Sequence, residues 1–311
     1  MRIAVTGGSG FIGSHVVDKA VAAGHKVVVV DVAAPHRPDV TWRDVDISDL
    51  PGLVRSLAGC DVVFHLAGVA NVNDALADPV ATVEVNVSGT ARVWEAARRS
   101  DVSRAVLAST VWVYAGTEGD GPATEESPLR VDATEHVYSA SKLAAEMVVA
   151  SFGELYGVPW TVLRYGIPFG PRMRPELVIP RFVSNALAGH HLTIHGDGLQ
   201  FRNWVYVEDL ADAHLAALGP AGVNQVFNLE GPEPVSVRRL AETVQSMVDP
   251  SLPIELLPAR PGDYGGRPVS GRKAAEVLGW TASTSFEDGM RRYLDWYLAE
   301  IDGPERQANR A

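Results

Sequence analysis

Short apolar runs alternate with longer amphipathic stretches through the first half of the chain. Near-continuous apolar runs rich in β-branched residues predict strands buried on both faces. These runs lie at residues 3–6, 26–32, 61–67 and 105–109. Helical spacing of the apolar positions predicts helices between them. The predicted helices lie at residues 13–23, 79–100 and 139–156. Strands separated by helices predict an α/β, doubly wound parallel sheet.

The second half of the chain is less regular and richer in proline and glycine. Residues 166–174 predict a loop, 180–188 a helix and 192–195 a short strand. A buried strand predicted at 223–229 indicates that the chain returns to the sheet before it finishes. The polar stretch 303–311 is expected to be a disordered tail.

Composition narrows the class of protein. The chain has 311 residues, is 46% hydrophobic and carries a formal charge of −11. Such an acidic balance argues against a protein dedicated to nucleic acids or anionic membranes. Cys60 is the single cysteine, so no internal disulfide can form and no cysteine metal site is indicated. With no long apolar span or signal-peptide pattern, we expect a cytoplasmic globular protein.

Four glycines crowd the stretch TGGSGFIG, which follows the first predicted strand. Gly7, Gly10 and Gly13 give the spacing G-x-x-G-x-x-G. In such a turn, glycine permits positive φ, lets a pyrophosphate approach the backbone and lets the next helix pack closely. A helix beginning near Phe11 would point free N–H groups at that phosphate. The stretch predicts a phosphate-binding turn, although packing alone also produces such turns.

Carboxylates follow the second and third predicted strands. Asp31 ends the second strand, where a carboxylate accepts hydrogen bonds from ribose hydroxyls and repels a 2′-phosphate, which favours NAD over NADP. The alternative for Asp31 is a solvated loop acid. Asp46 and Ile47 follow a third strand-like segment and are placed to hold an adenine edge. A helix N-cap or loop acid is an equal alternative for Asp46.

The stretch YSASK places Tyr138 four residues before Lys142. On a helix, residues four apart share one face. An ammonium beside a phenol stabilises the phenolate and lowers the pKa of the tyrosine. Such a tyrosine can take a proton from a sugar or alcohol hydroxyl near neutral pH. In isolation a surface pair is the commoner explanation, and the upstream glycine turn is what favours catalysis.

Ser109 and Thr110 follow the apolar stretch AVLA. The carboxyl ends of parallel strands face the ligand crevice, so a hydroxyl there can bind a reacting oxygen. A strand-terminal cap is a strong alternative for Ser109 and a weaker one for Thr110.

Taken together, the motifs resemble the extended short-chain dehydrogenases/reductases. More narrowly, the chain is similar to the NAD-dependent epimerase/dehydratase family, and within it to nucleotide-sugar 4-epimerases. The resemblance ends near Tyr297 and also includes LAG at 66–68, NVSGT at 86–90, STVWVY at 109–114 and LRY at 163–165. It implies a Rossmann domain at 1–166, with a return around 204–229. It also implies a smaller C-terminal substrate-binding lobe at 167–203 and 230–300.

The resemblance also implies roles for individual residues. Thr110 matches the catalytic Ser/Thr, Tyr138 the acid/base and Lys142 the residue that binds the nicotinamide ribose. The implied contacts of NAD are Gly7, Gly10, Phe11, Ile12, Gly13, Asp31, Asp46, Ile47, Leu66, Ala67, Gly68, Asn86, Tyr138, Lys142 and Tyr165.

Substrate contacts are implied in the lobe. Arg202 and Arg260 match arginines that grip the nucleotide diphosphate, and Asp263 matches a ribose-binding carboxylate. A guanidinium fork suits a diphosphate, although a surface ion pair is the alternative for each arginine without the resemblance. The nucleobase pocket and substrate site are expected to include Thr110, Leu177, Thr193 and His195.

The chain departs from the family pattern at two places. Many sugar epimerases have an asparagine two residues after the Arg-Tyr pair, and Ile167 stands there. The 4,6-dehydratases usually carry Asp-Glu after the catalytic threonine, and sugar-acid decarboxylases a glutamate at the second of those positions. Val111 and Trp112 occupy those positions, which weighs against dehydration and decarboxylation.

Three histidines in the lobe raise the question of a metal site. His190, His191 and His195 have no cysteine or acidic ligand set at fitting spacing beside them. Structural histidines are therefore favoured, and no metal is predicted.

The favoured hypothesis is an NAD-dependent epimerase of a UDP- or dTDP-linked sugar, inverting C4 through a transient 4-keto sugar. The alternative is an NAD(P)H-dependent reductase of a 4-keto nucleotide sugar or another carbonyl compound, which would consume one reduced cofactor per product. A non-catalytic dinucleotide sensor would not need Thr110, Tyr138 and Lys142 together. By analogy with the family we expect a homodimer through the helices at 88–100 and 139–156.

Overall fold

The computed structural model describes residues 1–116, 121–132, 134, 136–259 and 267–301. Internal contacts divide the chain into two compact units. The first comprises Met1–Gly166, Leu210–Leu229 and Val269–Thr281, and the second comprises the described parts of 167–209, 230–268 and 282–311. The predicted tail at 303–311 lies outside the described residues.

The described residues form twelve strands and ten α-helices. The strands are β1 (Arg2–Thr6), β2 (Lys26–Val30), β3 (Thr41–Arg43), β4 (Val62–His65), β5 (Arg104–Thr110), β6 (Trp160–Tyr165), β7 (Ile167–Phe169), β8 (Leu192–His195), β9 (Phe201–Tyr206), β10 (Gln225–Leu229), β11 (Pro234–Ser236) and β12 (Ile254–Leu257). The helices are α1 (Phe11–Ala22), α2 (Leu50–Leu57), α3 (Val72–Ala77), α4 (Pro79–Val83), α5 (Thr90–Arg99), α6 (Val137–Tyr156), α7 (Val178–Leu187), α8 (Val207–Ala216), α9 (Val237–Val248) and α10 (Phe286–Ile301). No described helix is both long enough and apolar enough to cross a bilayer.

Seven strands make the sheet of the first unit, in the order β10-β6-β5-β4-β1-β2-β3. Every neighbouring pair in that sheet is parallel. The chain runs outward from β1 through β2 and β3, then crosses back to β4 and continues the other way. Ligands bind at such a reversal, outside the carboxyl ends of the strands. The prediction of a doubly wound parallel sheet is confirmed.

Burial on both faces explains why the sheet strands have few polar residues. All residues of β4 and β5 are buried, and Lys26 is the one exposed residue of β2. Side chains of α2, α5 and α6 pack into the same core, with Leu53, Trp94 and Val149 among the buried residues. Each such side chain contributes about 1.5–3 kcal/mol by leaving water. This core holds the carboxyl ends of the strands in place.

The predicted helical stretch at 79–100 is confirmed, with a change of helix type within it that the apolar spacing does not indicate. The structure has α4, a π-helical turn at Glu84–Gly89 and then α5. A π-helical turn adds a residue to the helical repeat and is frequent at functional sites. A Cβ on Gly89 would lie 2.5 Å from Cδ1 of Ile47, so the turn needs glycine to pack against the core. The turn also places Asn86 in the interior, where it is buried.

The second unit has two small sheets. In one, β9 pairs in parallel with β7 and antiparallel with β11, and in the other β8 pairs in parallel with β12. The predicted loop at 166–174 is therefore wrong in part, because β7 occupies its beginning. Pro168 lies in β7, and an edge strand tolerates proline because it leaves one side of the ladder unpaired. Phe169 packs against Phe286 with ring centroids 5.3 Å apart.

Candidate active site

The glycine turn joins β1 to α1 and packs tightly on the end of β4. Gly7 has φ +70°, and a Cβ there would lie 2.5 Å from the backbone nitrogen of Ala67. A Cβ on Gly13 would overlap the carbonyl oxygen of Gly7. Gly10 is different, because a Cβ there would have a single close neighbour, the Gly7 oxygen at 3.2 Å. Two glycines are thus required by packing, whereas the third borders open space.

The first N–H groups of α1 provide an anion-binding surface beside Gly10. Gly10 is the N-cap of α1, and no side chain caps the helix. The first N–H groups of a helix have no partner within it, so Phe11, Ile12 and Gly13 present donors at the positive end of the helix dipole. No acidic residue occupies the first turn to compete. The turn therefore fits the pyrophosphate of a dinucleotide.

Asp31 lies directly beside the glycine turn. Its carboxylate accepts hydrogen bonds from the backbone N–H of Ser9 and of Ala33, both at 3.0 Å. An ionised carboxylate has about four acceptor positions. Two therefore remain for ribose hydroxyls, and the charge is held where it would repel a 2′-phosphate.

The neighbouring residues Asp46 and Ile47 have different surroundings, one exposed and the other buried. The Asp46 carboxylate accepts a hydrogen bond from the Ser48 N–H at 2.7 Å, and this bond holds its pKa below the usual value. Asp49, not Asp46, is the N-cap of α2. Ile47 is buried in the core of the sheet. Asp46 is thus exposed in the turn before α2, while Ile47 packs inward.

The segment after β4 links the glycine turn to the catalytic helix. Leu66 donates its N–H to the Thr6 carbonyl at 3.0 Å, and Ala67 follows beside Gly7. A Cβ on Gly68 would lie 2.9 Å from Oδ1 of Asn86 and 3.7 Å from Nζ of Lys142. The absent side chain of Gly68 therefore lets this segment approach the lysine.

Asn86 fixes that segment to α6. Its side-chain oxygen accepts from the Val69 N–H at 2.8 Å, and its amide donates to the Val69 carbonyl at 3.0 Å. The same amide donates to Oγ of Ser141 at 2.9 Å, and Ser141 donates to the Tyr138 carbonyl at 2.8 Å. Asn86 thus joins the two sides of the crevice.

Thr110, Tyr138 and Lys142 meet in the interior of the first unit, where all three are buried. Thr110 lies close enough to the hydroxyl of Tyr138 to lower the pKa of that tyrosine. The ammonium of Lys142 donates to the carbonyl of Ala108 at 2.8 Å. The end of β5 and the first turns of α6 thus bring the three predicted catalytic residues together.

The predicted lowering of the Tyr138 pKa is wrong for the protein's own groups. Burial raises the pKa of Tyr138 to about 12, although the neighbouring Thr110 hydroxyl lowers it. Burial also lowers the pKa of Lys142 to about 8, against the charge of Glu146, which raises it. Desolvation is the largest cause of both shifts because the helix carries both groups into the interior. Tyr138 is therefore protonated at neutral pH until further positive charge stabilises its phenolate.

Tyr165 has its hydroxyl engaged within the protein. The Nδ1–H of His214 donates to the carbonyl of Leu210 at 2.9 Å. Its Nε2 therefore accepts a hydrogen bond from the Tyr165 hydroxyl at 2.7 Å. Burial lowers the pKa of His214 to about 4, which keeps the ring neutral. A cofactor contact by Tyr165 would therefore use its ring or backbone.

Sequence reasoning missed His65, which supports the crevice from below. Its ring is buried and bonds Oγ1 of Thr6 at 2.7 Å and Oγ1 of Thr90 at 3.1 Å. Burial, followed by the charge of Lys142, lowers the pKa of His65 to about 3. The available signal was a polar residue at the end of an apolar strand, which Thr6 and His65 share.

The predicted substrate residues that are described lie in the second unit. Leu177 is the N-cap of α7. Thr193 and His195 alternate with buried Leu192 and Ile194 on β8, so their side chains share the less buried face. Arg202 lies on β9 and donates to the Phe201 carbonyl at 2.8 Å. Arg260 and Asp263 lie outside the described residues.

The histidines considered for a metal are placed on or near β8. His191 forms an ion pair with Glu255 at 3.1 Å. The Nδ1 of His195 lies 3.2 Å from the carbonyl of Pro258. Within the part of the chain that the structure describes, no group of histidine, cysteine and acidic residues has the geometry of a metal site.

Comparison with known proteins identifies the family. The model of the NAD-dependent epimerase/dehydratase family matches residues 3–229. The chain belongs to this family. Its cofactor is therefore NAD, as the Asp31 position predicts.

Relatives within the family carry out more than one reaction. UDP-glucose 4-epimerase of Mycolicibacterium smegmatis is 32% identical, over 96% of this chain and 98% of the relative. The dTDP-glucose 4,6-dehydratase 1 of Escherichia coli is also 32% identical, over 96% and 93%. The structure of Thermotoga maritima UDP-glucose 4-epimerase with UDP-glucose superimposes with a TM-score of 0.90, at 30% identity over 97% of this chain and 100% of that one. Overall identity alone does not separate epimerase from dehydratase.

The two alanine variants Gly13→Ala and Gly10→Ala separate packing from phosphate binding. We expect Gly13→Ala to lower the free energy of unfolding by about 2 kcal/mol or more, because its methyl overlaps the Gly7 carbonyl. Gly10→Ala should keep nearly the wild-type thermal midpoint while weakening NAD binding at least tenfold, because its methyl points at the phosphate position. Thermal unfolding and calorimetric NAD titration measure both. Equal stability loss in the two variants would contradict the assignment.

Removing the buried charge at Lys142 should stabilise the chain while destroying its cofactor site. At pH 7 we expect Lys142→Met to gain on the order of 3 kcal/mol, since the pKa of Lys142 is lowered from 10.5 to about 8 and each pKa unit is worth about 1.4 kcal/mol. Between pH 8 and 10.5 the unfolded wild type binds more protons than the folded form, so wild-type stability rises and the advantage of the variant shrinks. Unfolding at pH 7 and pH 10 tests the sign. An advantage that grows with pH would contradict it.

Proposed function

We propose that the protein is an NAD-dependent epimerase of a nucleotide sugar, inverting C4 through a transient 4-keto sugar. The observation that carries the proposal is the burial of Thr110 beside Tyr138, followed along the chain by apolar side chains. Val111 and Trp112 stand where a dehydratase is expected to have its acid and base. The Trp112 ring packs instead against His136, with centroids 5.3 Å apart. Oxidation at one carbon needs the hydroxyls of Thr110 and Tyr138, whereas elimination of water also needs a further acid and a further base.

Tyr138 moves the proton in this mechanism. Its phenolic oxygen takes the proton of the sugar O4 as C4 is oxidised. It returns the proton after the 4-keto sugar has rotated in the pocket. Thr110 bonds the same oxygen and stabilises the charge that develops on it. Bound NAD supplies a reversible two-electron oxidant for the sugar carbon.

Lys142 supplies the positive charge that the buried phenol needs. Because burial raises the pKa of Tyr138 to about 12, its proton leaves readily only when cations face the phenolate. Lys142 lies one helical turn away and also donates to the Ala108 carbonyl at 2.8 Å. With NAD bound, Lys142 would hold the nicotinamide ribose and stabilise the phenolate at once.

Residues of the second unit select the substrate in this proposal. Arg202 and Arg260 hold the diphosphate, Asp263 a ribose hydroxyl, and Leu177, Thr193 and His195 the nucleobase. Ile167 lies in β7, where asparagine would have offered an amide to the diphosphate. Backbone donors and the two arginines therefore carry more of the binding. We propose a UDP- or dTDP-linked sugar as substrate and the cytoplasm as the location.

Tyr138→Phe should lower kcat by about 1,000-fold or more while NAD binding changes little, since the phenolic oxygen alone is lost. The assay follows UDP-glucose, UDP-glucuronate and dTDP-glucose by chromatography, with purified protein and NAD⁺. Product without net NADH change supports epimerisation. One reduced cofactor consumed per product would establish a reductase, and a 4-keto-6-deoxy product a dehydratase. Wild-type turnover by Tyr138→Phe would refute the mechanism.

We also propose a homodimer through α6 and the helices that pack against it. Val80 of α4 is 73% exposed, and Met147 and Leu155 of α6 are 59% and 70% exposed. By analogy with the family, the helix at 88–100, which contains α5, was expected to share this surface. Among the described residues, α5 exposes none of its large apolar side chains, because Val93 and Trp94 point into the core. The apolar surface of α4 and α6 is therefore the better interface.

The double variant Val80→Glu/Met147→Glu should shift the protein from dimer to monomer, because four like charges would face each other across a two-fold interface. Light scattering measures the mass, and the circular dichroism spectrum should be unchanged. Leu256→Glu, at a half-exposed apolar position on β12, is the matched control and should stay dimeric. A monomeric wild type would refute the proposal.

A further inference from the structure

A buried ion pair lies behind the catalytic residues and has no role in the chemistry described so far. Arg164 and Glu146 are 4% and 8% exposed, and Nη2 of Arg164 lies 2.6 Å from Oε2 of Glu146. The Nε of Arg164 donates to the same carboxylate at 3.0 and 3.2 Å. The hydroxyl of Ser109 donates to Oε1 of Glu146. One carboxylate thus gathers donors from two neighbouring strands.

Each member of this cluster is adjacent to a residue of the candidate active site. Ser109 precedes Thr110 on β5, and Glu146 lies one helical turn after Lys142 on α6. Arg164 lies beside Ser109 in the register of β5 and β6, just as Tyr165 lies beside Thr110. The cluster therefore connects the strand that carries the threonine to the helix that carries the tyrosine and lysine.

Arg164 is held on all sides. Its Nη1 donates to the Tyr114 hydroxyl at 2.6 Å, and that hydroxyl donates to Oδ1 of Asn228 at 2.8 Å. The guanidinium carbon also lies 5.0 Å from the centroid of the Tyr114 ring. Asn228 belongs to β10, so the network ties three neighbouring strands to α6. A guanidinium with all its nitrogen atoms bonded in one plane has little freedom to shift.

Stability of the fold alone does not explain such a pair. Desolvation of two charges offsets most of their attraction, and well-packed apolar side chains in their place are often equally stable or more stable. Apolar side chains, however, do not fix the relative orientation of the elements that carry them. A planar guanidinium and a carboxylate fix both the distance and the angle between the elements that carry them.

We propose that Glu146, Arg164 and Ser109 are positioning residues, which set the placement of Thr110 relative to Tyr138 and Lys142. The proposal rests on the function proposed above for these three residues. A misplacement of about 1 Å at a reacting centre can cost about 100-fold in rate. The cluster would therefore act on turnover much more than on the affinity for the nucleotide sugar, which the second unit binds.

The carboxylate of Glu146 has a second effect, on the charge of Lys142. Burial lowers the pKa of Lys142 to about 8, and Glu146 raises it. The pKa of His65 is lowered to about 3 and that of Tyr138 is raised to about 12, so both stay neutral between pH 5 and pH 9. Arg164 stays protonated throughout. Removal of the Glu146 charge should therefore move the loss of the lysine proton to lower pH.

The test compares Glu146→Gln and Ser109→Ala with Glu95→Gln. Glu95 also pairs with arginines on the surface of α5, with Arg98 at 2.8 Å and Arg99 at 2.6 Å. Glu95→Gln therefore makes the same chemical change at a site away from Lys142. NAD⁺ binding is titrated by calorimetry from pH 6 to pH 9.5, and kcat and KM are measured with the nucleotide sugar that the wild type turns over. Because NAD⁺ binding needs no sugar, this arm gives a result even if the proposed epimerase activity fails.

For Glu146→Gln we expect kcat to fall at least tenfold while KM for the sugar changes less than threefold. The pH at which NAD⁺ affinity declines should drop by roughly half a unit or more, since a nearby negative charge is removed. Ser109→Ala should lower kcat several-fold without moving that pH, and Glu95→Gln should match the wild type. A structural role alone would lower stability without moving the pH dependence.

The double variant Glu146→Leu/Arg164→Met covers the case in which Glu146→Gln does not fold. It removes both charges with side chains of similar volume, so a thermal midpoint near the wild type is expected. The proposal is supported by a folded double variant that has a low kcat and loses NAD⁺ affinity at a lower pH than the wild type. A double variant with wild-type kcat and wild-type pH dependence of NAD⁺ binding would overturn it.

Discussion

The buried ammonium of Lys142 is the constraint around which the first unit is arranged. Taking a charge out of water is costly, and the cost appears as a pKa lowered to about 8. The protein offsets it with the Ala108 carbonyl and with the Glu146 carboxylate one turn along the helix. The same charge helps to keep His65 neutral, so the ring can bond two hydroxyls under the crevice. Position, protonation and the neighbouring hydrogen bonds therefore follow from one buried cation.

The doubly wound sheet could be predicted because its cause is local in the sequence. A strand buried on both faces must be apolar throughout, so runs such as that of β2 are visible without any tertiary information. The π-helical turn at Glu84–Gly89 was not predictable in this way. Apolar spacing continues across it and carries no sign of the change in helix type, and Ile47, which packs against Gly89, comes from a different part of the chain. β7 was missed for a similar reason, because its partner β9 comes much later in the chain, with Ile167 opposite Trp204.

In the candidate site, too, local sequence spacing predicted some residues, and contacts between distant parts of the chain determine the others. Gly7, Gly13, Asp31, Tyr138 and Lys142 were found because each sits at a fixed offset from a strand or from one another. Ser141 and His65 have no such offset, and their importance comes from hydrogen bonds to Asn86 and Thr6 across the crevice. The sign of the Tyr138 pKa shift was wrong because a helical spacing shows that two groups are neighbours, but not how deeply both are buried.

The separation of chemistry from recognition explains why epimerases and dehydratases can be equally similar to one chain. In the proposed mechanism, oxidation of a sugar carbon depends on hydroxyls and a cation fixed in the first unit, and both reactions share this requirement. What distinguishes them is whether further acids and bases reach the sugar once the ketone has formed. At Val111 and Trp112 this chain has side chains that cannot transfer a proton. In the proposed mechanism these two positions offer a ketone no acid or base for loss of its C6 oxygen, which favours reduction back to an alcohol with inversion at C4.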